Sequence, residues 1–75
     1  MKTKVINLLK EVLEIEDRNL ELNDKFRDYD EWDSLAYLSL IAGLDEEFEI
    51  LIENNQFNLL ITVEDLIKAI EEKMK

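Results

Sequence analysis

One hydroxyl in this sequence stands where a covalent attachment has physical support: Ser34, in Asp33-Ser34-Leu35, where a polar stretch meets a strongly apolar helical pattern. With Asp33 as N-cap, Ser34 is the first helical residue, where backbone N–H groups are unpaired and the helix end carries about half a positive charge. An anion fixed to that hydroxyl is stabilised there, although Asp33 and Glu31 beside it offset part of the gain. Nothing is available to turn the hydroxyl into a nucleophile, because the chain has 0 His and 0 Cys. Ser34 is therefore read as the substrate of a modifying enzyme, not as a catalytic serine. Taken alone the tripeptide is better read as an ordinary helix start, since Ser and Asp both favour that place.

The same absences exclude most other chemistry. Without His and Cys there are no common ligands for zinc, copper or haem, no triad base and no disulfide. Asp28-x-Asp30-x-Trp32 begins like a calcium loop, but its sixth position is Asp33 instead of Gly and its twelfth is Ser39 instead of Glu. No metal site is expected. The 9 Lys+Arg against 19 Asp+Glu give a net charge of −10, which repels nucleic acid and anionic lipid. No apolar run approaches the roughly 20 residues of a membrane span. Met1-Lys2-Thr3-Lys4 leads into an amphipathic pattern instead of a signal-type stretch. A cytoplasmic monomer is expected, with residues 1–75 as a single domain.

The elements that must position Ser34 are helices. Only 1 Gly and 0 Pro disfavour hairpin turns. Val5, Leu8, Leu9, Val12 and Leu13 repeat at helical spacing and predict a first helix over 3 to about 15. Residues 16 to 32 lose the period and hold turn-forming Asp17, Asn19, Asn23, Asp24, Asp28 and Asp30. Leu20, Leu22, Phe26 and Tyr29 stud this long loop and predict that it is pinned to the core. A second helix follows over about 34 to 48, with Leu35, Leu38, Ile41, Ala42, Leu44 and Phe48 as its buried stripe, widened by Leu40. Its opposite face then carries Ala36, Ser39 and Gly43, followed by Glu46 and Glu47, so a partner could approach closely over the small side chains. A short third helix is expected over about 54 to 59. The fourth runs over about 63 to 74, with a capping box at Thr62 and Asp65 and a stripe of Val63, Leu66, Ile67, Ile70 and Met74. The fold class is all-α: a small four-helix bundle of three long helices and one short third helix, with a long loop between helices one and two.

This arrangement resembles the acyl carrier protein family along the whole chain. The resemblance rests on Asp33-Ser34-Leu35 at the start of the second of four helices, on Leu44-Asp45-Glu46-Glu47-Phe48 at its end, and on Thr62-Val63-Glu64-Asp65-Leu66 at the start of the fourth. It implies that Ser34, flanked by Asp33 and Leu35, bears a 4′-phosphopantetheine arm transferred from coenzyme A by a phosphopantetheinyl transferase. The arm's thiol would carry an acyl or aminoacyl group as a thioester for fatty acid, polyketide or related biosynthesis. A chain without Cys offers no internal thiol to intercept such cargo. The chain departs from many relatives at Glu31, Ala36 and Ser39. Trp32 and Tyr37 fall at N′ and N4, where a hydrophobic staple can form.

The charge is uneven: between Asp28 and Ile67 there is no Lys or Arg. That acid either keeps a small domain soluble or steers it toward basic docking patches on acyl-transferring and acyl-activating enzymes. The expected docking residues are Ala36, Ser39, Gly43, Asp45, Glu46 and Glu47. The competing reading is an unmodified acidic helical adaptor using the same face. A core of Leu, Ile and Val also permits partial shelter for a medium apolar acyl chain.

Overall fold

A computed structural model describes residues 2–74 and places four α-helices in the expected order: α1 Lys2–Leu13, α2 Ser34–Phe48, α3 Asn54–Phe57 and α4 Val63–Lys73. Among the described residues the extended pairing is limited to one isolated antiparallel bridge, between Lys25 and Thr62. α1 packs against both α2 and α4. Its stripe behaves as the spacing predicts, with Val5, Leu8, Leu9 and Leu13 buried and Val12 half-buried. α4 does the same through Val63, Leu66, Ile67 and Ile70, and adds Ala69; Met74, expected in the stripe, is 47% exposed beyond the end of the helix.

Two helices end without the glycine that normally accepts a left-handed backbone. Glu14 and Glu49 take it instead, at φ 57° and 56°. α1 therefore stops two residues short of the expected boundary, at Leu13, where Ile15 N–H reaches back to Lys10 O at 2.9 Å. At the end of α2, Glu49 N–H donates to Asp45 O at 2.9 Å, and the residue after it, Ile50, reaches back with its N–H to Leu44 O at 3.5 Å. The left-handed backbone costs a residue with a side chain about 1 kcal/mol or more. α3 is also shorter than expected, and its last turn continues only as hydrogen-bonded turns to Leu60.

The long first connection is pinned, as its apolar residues imply. Leu20 and Phe26 are buried, and Phe26–Asp28 forms a short 3-10 turn that the sequence pattern does not show. Main-chain bonds tie the loop to the start of α4: Val63 N–H to Asp24 O and Glu64 N–H to Leu22 O, both 2.9 Å. These satisfy two of the orphan donors at a helix N-terminus. Thr62 and Asp65 complete the expected capping box, each accepting a backbone N–H of the other at 3.1 Å. Those bonds, with a further one from Ile61 N–H, hold the Asp65 carboxyl below the usual carboxylate range.

α2 is rotated relative to expectation. Leu40 and Leu44 are buried as expected and Ala36 joins them, whereas Leu35 and Leu38, assigned to the core stripe, are 73% and 60% exposed and Ala42 is exposed as well. The cause is the closeness of α1: a Cβ added at Gly43 would lie only 2.8 Å from Leu8 Cδ1. The small side chains of α2 are where α1 itself approaches. Ala36 is consequently removed from the docking face expected of it, being 5% exposed.

Candidate functional site

The backbone ahead of Ser34 is fixed by local bonds that start in the loop. Trp32 N–H donates to Tyr29 O at 3.0 Å, closing a turn that leads into the helix. Asp33 follows in extended conformation, and its Oδ1 accepts Ala36 N–H at 2.7 Å while its carbonyl accepts Tyr37 N–H at 3.0 Å. Asp33 is thus the N-cap and Ser34 the first residue of α2, as the sequence implies. The Ser34 side chain is exposed.

Side-chain bonds brace the same loop. Arg18 donates twice to the Glu31 carboxylate, at 2.8 and 3.1 Å, which lowers the pKa of Glu31 and raises that of Arg18. The pair is solvated, so its value lies in orienting the loop more than in stability. The Asp24 carboxylate accepts Glu21 N–H at 3.0 Å and Tyr29 O–H at 2.8 Å. Both bonds hold Asp24 below its ordinary range, and burial followed by the bond to Asp24 pushes the Tyr29 hydroxyl up.

Beside Ser34 lies a groove of about 330 Å³, lined by Arg27, Trp32, Asp33, Tyr37, Asn54 and Asn58 as well as Ser34. Its base is an aromatic cluster that sequence spacing could not assemble. Trp32 stacks on Phe57, with centroids 6.1 Å apart and planes at 9°; Tyr37 meets the Phe57 ring edge-on at 5.0 Å. Phe26 contacts both Trp32 and Phe57, at 5.1 and 5.8 Å. The staple expected between Trp32 and Tyr37 is therefore mediated by Phe57, which both rings touch. The Arg27 guanidinium sits 5.1 Å from the Phe57 centroid, and donates to Phe57 O at 2.6 Å and Leu60 O at 2.9 Å. Phe26, Arg27 and Phe57 are residues of the site that the sequence reading missed. The one signal available was for Arg27, the last cation before the long acidic stretch.

Most of the remaining expected docking residues lie together: Ser39, Gly43, Glu46 and Glu47 line one groove between α1 and α2, Gly43 half-buried and the others exposed, while Asp45 is exposed outside it. The residues of α2 that face outward along one strip with Asp45 are Leu35, Leu38 and Ala42, spaced three and four apart. No described helix is long and apolar enough to cross a membrane.

The structure is a four-helix domain with an exposed serine at the head of its second helix, and comparison with known proteins gives its class. The family model for the phosphopantetheine attachment site matches residues 3–70. The chain is 36% identical over 59 residues to an acyl carrier protein of Exiguobacterium sibiricum, covering 79% of this chain and 75% of that one. It is 27% identical over 71 residues to an acyl carrier protein of Petrotoga mobilis, covering 95% and 84%. The solution NMR structure of the holo acyl carrier protein from Geobacter metallireducens superposes with a TM-score of 0.84 at 23% identity, covering 97% of this chain and 84% of that one. The chain belongs to the acyl carrier protein family. It is a carrier and not an enzyme, and its prosthetic group is 4′-phosphopantetheine.

The residues present fit that group. An exposed hydroxyl opens on a groove lined by the cation Arg27, whose guanidinium also bonds the Phe57 and Leu60 carbonyls, and by two side-chain amides, Asn54 and Asn58, able to meet the amide bonds of the arm.

Proposed function

We propose that Ser34 is the attachment residue, with Asp33 and Leu35 completing its recognition, and that the arm's thiol holds an acyl or aminoacyl group as a thioester for delivery to partner enzymes. When attached, the group supplies the thiol that the polypeptide lacks. The observation that carries this reading is the exposed Ser34 hydroxyl at the capped head of α2, within the span matched by the attachment family. The chain has just two serines, and the other, Ser39, lies in mid-helix where neither cap nor loop surrounds it.

Partner recognition follows from the outward strip of α2. Leu35 and Leu38 are solvent-exposed beside Ser34, and Asp45, Glu46 and Glu47 occupy the last turn, which also lacks any basic residue. Acid at a helix C-terminus opposes the macrodipole, costing about 0.3 to 1 kcal/mol per charge at low salt. Helix stability therefore does not explain those carboxylates. A partner with an apolar pocket rimmed by Lys and Arg does, and both a phosphopantetheinyl transferase and the cytoplasmic acyl-transferring or acyl-activating enzymes of fatty acid, polyketide or related biosynthesis fit that description.

The test is intact mass after incubation with coenzyme A and a broad-specificity phosphopantetheinyl transferase. Wild type and Ser39→Ala are expected to gain one arm and Ser34→Ala none. Addition to Ser34→Ala, or no addition to wild type, as an unmodified adaptor requires, would overturn the assignment.

A further inference from the structure

The turn that delivers the chain to Ser34 is gripped from outside the attachment tripeptide. It comprises residues 29–32 and is closed by the bond from Trp32 N–H to Tyr29 O at 3.0 Å. On its far side the chain is already fixed, because Trp32 packs on Phe26 and Phe57 and Asp33 caps α2 by accepting Ala36 N–H at 2.7 Å. The soft dihedrals of such a turn lie at its two central residues, here Asp30 and Glu31.

Arg18 holds the turn at two points. Its guanidinium donates to both oxygens of the Glu31 carboxylate, at 2.8 and 3.1 Å, and lies 5.3 Å from the centroid of the Tyr29 ring. Tyr29 is tethered in its turn by its hydroxyl, which donates to Asp24 at 2.8 Å. Arg18 stands between Ile15 and Leu20, which are 3% and 6% exposed, so the chain is anchored in the core on either side of it. A lone exposed ion pair adds little to stability, since its charges stay solvated and two long side chains must be ordered. A planar fork that meets a carboxylate with two bonds and also covers an aromatic ring fixes orientation, which a point charge does not.

Orientation is what modification of Ser34 demands. The Ser34 oxygen bonds to the phosphorus that carries the pantetheine arm as the pyrophosphate P–O bond of coenzyme A breaks; adenosine 3′,5′-bisphosphate leaves, and the hydroxyl proton passes to a base of the transferase. Attacking and leaving oxygens lie roughly in line in such a transfer, so a hydroxyl on a loose approach reacts less often.

We propose that Arg18 is a positioning residue for this modification: through Glu31 and Tyr29 it fixes the turn that presents the Ser34 hydroxyl to the transferase. The proposal rests on attachment at Ser34. A role through charge alone has the opposite signature. If Glu31 served as a docking acid, removing Arg18 would free it and speed the reaction; if Arg18 served to attract coenzyme A, removing Glu31 would do so.

The experiment measures initial rates of mass gain with coenzyme A and the transferase, over a range of carrier concentrations, for wild type, Arg18→Ala, Arg18→Lys, Glu31→Ala and the double variant Arg18→Ala/Glu31→Ala. Each single alanine variant is expected to lower kcat by about tenfold, the scale on which one freed backbone residue must be ordered again at each turnover. KM for the carrier is expected to stay within about twofold, because the outward strip of α2 is untouched. The double variant should lie within about twofold of either single one, as the two residues form one contact. Arg18→Lys keeps the charge but loses the fork and the stack, and should remain at least about threefold slow. A readout without the transferase is Trp32, the one tryptophan in the chain, which adjoins Glu31. Its acrylamide quenching constant in the unmodified Arg18→Ala chain should rise by roughly half as the turn loosens, with the thermal midpoint within about 8 °C of wild type.

A rate unchanged or raised in either single alanine variant, a loss confined to KM, additive losses in the double variant, full recovery with lysine, unchanged quenching or a larger fall in the midpoint would each overturn the proposal. Wild type that gains no mass would remove the Ser34 assignment and this role with it, whereas normal modification of Arg18→Ala would remove this role alone.

Discussion

Phe57 is the residue on which the site's architecture turns, and removing its ring should be costly out of proportion to the helix it belongs to. α3 has four residues, too few to stand by themselves, since isolated helices shorter than about 12 residues are marginal in water. What fixes α3 is that Phe57 is fully buried between Phe26, Trp32 and Tyr37 with Arg27 across its face. Truncating a buried Phe to Ala costs about 3 to 5 kcal/mol. A domain of 75 residues has, at roughly 0.05 to 0.15 kcal/mol per residue, about 4 to 11 kcal/mol in total. Phe57→Ala should therefore consume between about a quarter and all of the stability, lowering the thermal midpoint by about 12 °C or more. Phe57→Leu keeps most of the apolar volume but loses three ring pairs, each worth about 0.5 to 1.5 kcal/mol, and should cost about 1.5 kcal/mol or more. Urea titration followed by Trp32 fluorescence and by far-UV dichroism measures both. A loss below about 1.5 kcal/mol for Phe57→Ala would mean that the aromatic cluster does not hold α3.

The other expectations are narrower. Ala36→Glu should unfold or strongly destabilise the domain, because it puts a carboxylate at a 5% exposed position, whereas Ser39→Glu should leave the midpoint nearly unchanged; equal tolerance would restore the docking face read from sequence. Leu38→Glu should leave stability within about 0.5 kcal/mol and yet slow modification by the transferase, seen as the initial rate of mass gain. Thr62→Ala should cost about 1 kcal/mol in urea titration through loss of the α4 cap. For acid stability, Asp24 and Asp65 are both held below their ordinary 3.8, so their stabilising bonds are intact above about pH 4 and lost as pH falls through the lowered folded values. Asp65→Asn should flatten that acid limb, and an unchanged slope of stability against pH below 4 would contradict the assignment.

What the sequence made legible follows the physics of each element. α1 and α4 each carry a single apolar stripe on an otherwise charged helix, so the period alone assigns their buried faces. α2 was placed correctly but turned the wrong way. Its first turns hold Leu35, Leu38, Leu40 and Ile41 almost all round, so the period is weak and the bulkier face reads as the core. The packing keeps the expected Leu40 and Leu44 but adds Ala36 in place of Leu35 and Leu38, because α1 comes so close that a Cβ at Gly43 would meet Leu8. Ser34 and its cap were legible because they depend on neighbours in sequence. The groove was not, since Phe26, Arg27, Trp32 and Phe57 meet only through tertiary packing of the loop on α3. The positive-φ glutamates were hidden for the same reason that one Gly in 75 residues suggests: other residues must serve as helix stops.

Fragmentation of the modified chain, reading which residue bears the added mass, tests the central claim most directly. The account places the phosphopantetheine mass on the fragment ions that contain Ser34, with Ser39 unmodified in every molecule. Localisation of that mass to Ser39, to Thr62 or to any other hydroxyl would contradict it.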